Sequence, residues 1–150
     1  LAVLHLKGQA AIPIIKNVFE LQYLENQGAA FGIMQGKKTL FVIGTLIFLV
    51  IVVILYHNIP LTKRFTPIRI VAVLIVAGAI GNMIDRVVHQ YVIDFFYFSL
   101  INFPIFNVAD IYVTVAAIAL IIAVFFIYKD EDYNVIFPSK SKQANEQKEK

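Results

Sequence analysis

Three long apolar runs divide the chain, and each predicts a membrane-crossing helix. They are "TLFVIGTLIFLVIVVILY" (39–56), "IVAVLIVAGAIGNMI" (70–84) and "IYVTVAAIALIIAVFFIY" (111–128). A hydrocarbon core of about 30 Å needs about 20 helical residues, with about 17 tolerated. The outer two runs are uncharged and fit that length. The middle one fits if Arg69 snorkels and the polar end "GNMIDR" enters the interface, which extends the span to 70–86. Ahead of the first span the period changes. "FELQYLEN" alternates, with Phe19, Leu21 and Tyr23 on one face and Glu20 and Gln22 on the other, and "NQG" follows as a turn. This predicts a small extracytoplasmic sheet element over 18–33, within a non-spanning segment of about 10–38. Residues 129–150 form a polar tail, and "PSKSKQANEQKEK" (138–150) has the composition of a disordered segment.

Composition agrees with a membrane protein. Of 150 residues, 59% are hydrophobic and 15% charged, and the mean hydropathy is +0.76. A net charge of +3 without a basic, aromatic-interleaved stripe argues against a nucleic-acid partner. There are no cysteines, so thiolate nucleophiles and Cys-ligated metals are excluded. Eight of the 13 Lys and Arg fall in 57–69 and 129–150, which places those segments in the cytoplasm and residues 1–38 and 85–110 outside.

The outward stretch "YVIDFFYFSLINFPIFNVAD" (91–110) reads as an aromatic loop carrying two acids, Asp94 and Asp110, and no base. Asp110 can be read as the N-cap of the following helix, and Asp85–Arg86 as an interfacial pair that stops the second span. Asp94 has no such simple role, since an ionised side chain in hydrocarbon costs about 2.5 kcal/mol or more. Asn26, Asn82 and Asn107 belong to the same outer face. Two carboxylates brought close share one proton, so that one activates water while the other donates to a carbonyl, which hydrolyses a peptide bond without a covalent intermediate. The separation of sixteen positions from Asp94 to Asp110 allows the two to meet. Other chemistries lack parts: His5, His57 and His89 are scattered, Ser99 has no lysine beside it, and no phosphate-binding glycine loop occurs. The small residues Gly78 and Gly81 suit close helix packing. The competing class is a non-enzymatic membrane subunit or a small ion-coupled transporter, but the acids cluster at one interface rather than mid-span.

"ENQGAAFG" (25–32), "GNMIDR" (81–86), "YVIDF" (91–95) and "FPIFNVAD" (103–110), in that order, resemble bacterial lipoprotein signal peptidase, signal peptidase II. The resemblance covers residues 10–128. It implies an all-α membrane bundle with an extracytoplasmic β-cradle, an aspartyl endopeptidase of the bacterial inner membrane that removes signal peptides from diacylglyceryl-modified prolipoproteins. The implied catalytic pair is Asp94 and Asp110. Asn26, Asn82 and Arg86 would hold the substrate backbone, Asn107 would support the dyad, and Asp85 would be a structural partner. Lipidated signal peptides and membrane lipid are the implied partners, without metal or organic cofactor, and the expected state is a monomer. Two departures stand out. Gln27 replaces the small polar residue common at that place, and the family's first transmembrane helix is absent, so the chain is expected to be a fragment whose activity is in doubt.

Overall fold

A computed structural model of the chain describes residues 1–28 and 38–137. The end of the expected sheet element (29–33) and the expected disordered tail (138–150) lie outside the described residues. A short helix α1 (Ala2–Leu6) leads into strands β1 (Ile12–Ile15) and β2 (Phe19–Asn26). Helix α2 (Lys38–His57), helix α3 (Thr66–His89), strand β3 (Val92–Tyr97), helix α4 (Val108–Ile122) and helix α5 (Asp130–Ile136) follow.

Among the described residues, three helical stretches are long and apolar enough to cross a membrane: Thr39–His57, Lys63–His89 and Val108–Ile127. Their outer flanks carry exposed aliphatic and aromatic side chains, with Phe125 and Phe126 exposed by 74% and 82%. Such surfaces are at home only in lipid. Helix α3 runs 24 residues without a break, longer than the 70–86 expected from hydropathy. Its last two turns, Asn82–His89, are tied to α4 by the bond from Asn82 to Asp110 and to β3 by the bond between Asp85 and the Ile93 backbone, while Val87, Val88 and His89 are exposed. At its start, Pro67 falls where a missing N–H costs nothing.

The sheet has the order β1-β2-β3, antiparallel throughout, with Leu24 opposite Asp94 and Asn26 opposite Val92. Residues 92–97 are therefore a strand, not part of a loop. The run "VIDFFY" shows no strict alternation because one face meets α3 and the other meets an aromatic cluster. The chain returns from β3 through a 3₁₀ turn (Ser99–Ile101), and Phe106 pairs with Phe96 by mutual backbone hydrogen bonds of 2.8 and 3.0 Å. Phe19, Phe96, Phe98 and Phe106 stack over this pairing with ring centroids 4.9–5.8 Å apart. These aromatics thus pin the returning chain to the sheet, while Phe98 stays 40% exposed.

At the opposite end, Ile59, Phe65, Ala123, Tyr128 and Ile136 form a small buried core. A π-helical turn, Ala123–Ile127, ends the third span there. Carbonyls in that turn are taken up by Tyr133, whose hydroxyl donates to Val124 O at 2.8 Å, and by Arg64, whose Nη2 donates to Ile127 O at 2.6 Å. Helix α5, unexpected in a tail this polar, is held by the Arg64–Asp132 ion pair at 2.7 Å.

Candidate active site

Asp94 and Asp110 reach one cavity from two different elements. Asp94 lies in β3 and is 1% exposed. Asp110 is the third residue of α4. The antiparallel return that pairs Phe96 with Phe106 brings Asn107 beside Asp94 and starts α4 at that height.

Asn107, buried, connects the two acids. Its Nδ2 donates to Asp94 Oδ1 at 2.7 Å and to Asn82 Oδ1 at 3.0 Å. Its Oδ1 accepts from the Asp110 backbone N at 3.1 Å, and its own backbone N donates to Asp110 Oδ2 at 3.0 Å. This reciprocal pattern is a capping box, so the N-cap of α4 is Asn107 and Asp110 occupies the N3 position. The reading of Asp110 as N-cap is corrected accordingly: an amide serves better at 107, because it can cap the helix and still donate to two neighbours.

The remaining oxygens are also occupied. Asn82 Nδ2 donates to Asp110 Oδ1 at 2.8 Å, and Asn26 Nδ2 donates to Asp94 Oδ2 at 2.8 Å. Every carboxylate oxygen of the pair accepts at least one hydrogen bond, yet each keeps lone-pair capacity for a further one. An amide NH₂ has two hydrogens, and those of Asn107 are both used within the site. Asn26 and Asn82 each commit one. Both side chains line the cavity, so each has a donor available to a bound molecule. Burial is the main cause that pushes the Asp94 carboxyl up to about 6, and the nearby Asp110 charge acts in the same direction. The two asparagine donors oppose this only in part.

Arg86 and Asp85 do not form the expected pair. Asp85 Oδ2 accepts from the Ile93 backbone N at 3.0 Å, which fastens the start of β3 to the end of α3 next to Asp94. Arg86 Nη2 donates to Gly28 O at 2.9 Å, and its guanidinium lies 4.8 Å from the centroid of the Phe41 ring. Successive positions on a helix face about 100° apart, so the two side chains leave α3 toward different neighbours. Gly28 itself is held by Asn26, whose Oδ1 accepts from its backbone N at 3.0 Å. Arg86 therefore lines the cavity while two of its donors are spent on the protein, at Gly28 O and at Asn82 O, whereas the side chains of Asn26, Asn82, Asp94, Asn107 and Asp110 form one connected network. Hydropathy and spacing did not reveal Asp85's bond to Ile93 or the place of Phe41; only the topology does.

The cavity has a volume of about 700 Å³. Its polar end is formed by Asn26, Asn82, Arg86, Asp94 and Asp110, and its apolar walls include Phe103–Phe106 and Ile111, Val113 and Val115 of α4. The wall of α4 descends five residues past Asp110, about 8 Å at the helical rise. Among the described residues, no group of three or more His, Cys, Asp or Glu side chains is arranged to hold a metal ion.

Residues 1–126 match the family model described as "Signal peptidase (SPase) II". The chain belongs to the signal peptidase II family. A lipoprotein signal peptidase of Clostridium novyi is 44% identical over 124 residues, covering 81% of this chain and 82% of that protein. One of Streptococcus pneumoniae is 46% identical over 109 residues, 73% and 70% of the two chains. A solved bacterial membrane enzyme superposes with a TM-score of 0.72 at 34% identity, over 82% of this chain and 76% of the other. The chain is a peptidase of the membrane, and the transporter alternative is set aside.

Proposed function

We propose that this signal peptidase II family member cleaves lipid-modified prolipoprotein signal peptides by acid–base chemistry at Asp94 and Asp110. The observation that carries the reading is the single amide network through which Asn107 and Asn82 join two carboxyl groups that line a mostly apolar cavity. A diacylglyceryl-bearing peptide needs such a site, open to hydrocarbon along α4 and polar at its end. The K/R distribution argues that this end faces outward from the cytoplasmic membrane.

Asp94 is the group whose surroundings favour the neutral acid, so it holds the shared proton at the start. Asp110 accepts a proton from water as the water oxygen bonds to the scissile carbonyl carbon, and Asp94 gives its proton to the carbonyl oxygen. The resulting gem-diol collapses as the C–N bond breaks. Asp110 returns its proton to the departing nitrogen, and Asp94 recovers one from a diol hydroxyl. The spare amide hydrogens of Asn26 and Asn82 position the peptide, and the cationic guanidinium of Arg86 offsets developing negative charge. Every proton moves between Asp94, Asp110, water and the peptide.

The test is a gel-shift cleavage assay in detergent–lipid micelles with a diacylglyceryl prolipoprotein and its unlipidated precursor. Cleavage of the lipidated form alone, abolished in Asp94→Asn and in Asp110→Asn while both variants stay folded, is the expected outcome. Near-parental turnover by either variant would overturn the assignment.

A further inference from the structure

Two helices, α3 and α4, approach so closely beside the network that one position carries no side chain. Gly78 is buried one helical turn before Asn82. A methyl group at this position would stand 2.5 Å from the Ala109 carbonyl oxygen, 2.7 Å from Val113 Cγ2 and 3.3 Å from the Val113 backbone N. Ala109 is the residue immediately before Asp110. The approach relaxes toward the helix end: a methyl at Gly81 would meet only the Ala109 Cβ, at 3.1 Å. Glycine destabilises a helix interior relative to alanine, so its presence at 78 calls for a reason specific to this contact.

We infer that Gly78 is a positioning residue for the reaction, setting the separation of α3 and α4 at which Asn82 can donate to Asp110. The inference rests on the dyad reading above. The obstacle at Ala109 is backbone, which cannot rotate aside. To bring the contact from 2.5 Å to an ordinary 3.4 Å, α4 must withdraw by roughly 0.9 Å. A retreat of that size lengthens the Asn82–Asp110 bond from 2.8 Å to roughly 3.7 Å, which is no longer a hydrogen bond. The link from Asn107 to Asn82 at 3.0 Å is strained in the same movement, since Asn107 travels with α4. The cradle contacts of Asp94 through Asn26 lie on the other side of the cavity and are untouched.

The experiment is a double-mutant cycle on turnover of the diacylglyceryl prolipoprotein, with Gly78→Ala, Asn82→Ala and the double variant, and Asp110→Asn as reference. A misplacement near 1 Å lowers kcat by about 100-fold, with KM changed far less. If Gly78 acts through Asn82, the double variant is no slower than Asn82→Ala by more than about threefold. A product of the two separate losses would overturn the inference and leave the dyad intact, as would parental kcat in a folded Gly78→Ala. Activity remaining in Asp110→Asn would instead overturn the dyad. Should Gly78→Ala fail to fold, the milder pair decides: Gly81→Ala lowers kcat and Ala109→Gly in the same chain restores it. Failure of that rescue overturns the inference too.

Discussion

Removing the Asn26 donor from Asp94 is expected to move the alkaline limb of the pH–rate profile upward. Asp94 sits at about 6 because burial favours its neutral form, and the 2.8 Å bond from Asn26 works against that by stabilising the charge. A hydrogen bond to a charged acceptor is worth about 1.5–3 kcal/mol, and 1.36 kcal/mol corresponds to one pH unit, so full loss raises the titration by about 1–2 units. Asn107 still donates to the other oxygen, so Asp94 is not stranded. With Asp94 as the proton donor, activity falls as pH rises through its titration, and kcat/KM reports the free enzyme. Asn26→Ala and Asn26→Ser should both show the limb displaced from about 6 toward about 7–8. The serine variant keeps a hydroxyl able to serve the Gly28 N–H while losing reach to Asp94, so a displacement common to both belongs to the carboxyl contact. Limbs that coincide with the parent's, or move to lower pH, would refute the reasoning. The same shift has a sign in folding. Because folding raises Asp94 above its ordinary 3.8, its ionisation opposes the folded state, and the penalty is absent below about 4, grows until about 6 and is constant above.

Asn107→Ala should lower the thermal midpoint, since loss of an N-cap costs about 1–2 kcal/mol, while Asn107→Ser restores the cap and most of the midpoint but not turnover. Recovery of both by serine, in parallel melting and cleavage assays, would show that Asn107 only caps. At the far end, Arg64→Ala should lower the midpoint by a few degrees and leave kcat unchanged. The Arg64 hydrogen bonds hold the Asp132 carboxyl down at about 2, so their contribution is present above about 4 and fades as pH falls through about 2. The difference between parent and variant should therefore narrow over that interval. A constant difference would assign the effect to the Ile127 carbonyl contact instead.

The spans and β2 were legible because lipid exposure and a half-buried strand impose uniform rules on runs of residues. The alternation in "FELQYLEN" predicts a strand where Phe19–Asn26 is one. "VIDFFY" hides its strand character, since Val92 and Asp94 are buried, the intervening positions are only half-covered, and both faces have partners. Asp94 and Asp110 were conspicuous as charges with nothing in sequence to neutralise them, and the amides as polar groups on the same outer face. What neighbours each residue was another matter. Whether Asp85 pairs with Arg86 or with the backbone of Ile93 depends on where β3 docks against α3, and a 3₁₀ turn that begins six residues downstream of Ile93 helps to decide that docking. Helix α5 was missed for a similar reason: its apolar contacts, Tyr133 and Ile136, have meaning only against a core built from the end of α2, the connection into α3 and the turn that ends the third span.

The amide network also explains how the proposed dyad can be assembled inside a membrane protein without a separate ordering step. Helix α4 needs an N-cap wherever its first turn forms, and Asn107 supplies it with the acid three residues on as its reciprocal partner. Forming that turn fixes Asp110 Oδ2 on the Asn107 backbone N. The same asparagine then has both amide hydrogens free to find Asp94 and Asn82, which lie on elements already placed by β2–β3 pairing and by the close contact of α3 with α4. Each partner satisfies a buried polar group that would otherwise cost about 1–3 kcal/mol. Docking the helix and aligning the carboxyl groups therefore favour the same geometry. A substitution that spoils the cap spoils the site, whereas one that loosens only the helix separation spares the cap and breaks the Asn82–Asp110 bond. Comparing Asn107→Ala with Gly78→Ala separates these cases: the first should show its loss in melting and turnover together, the second chiefly in kcat.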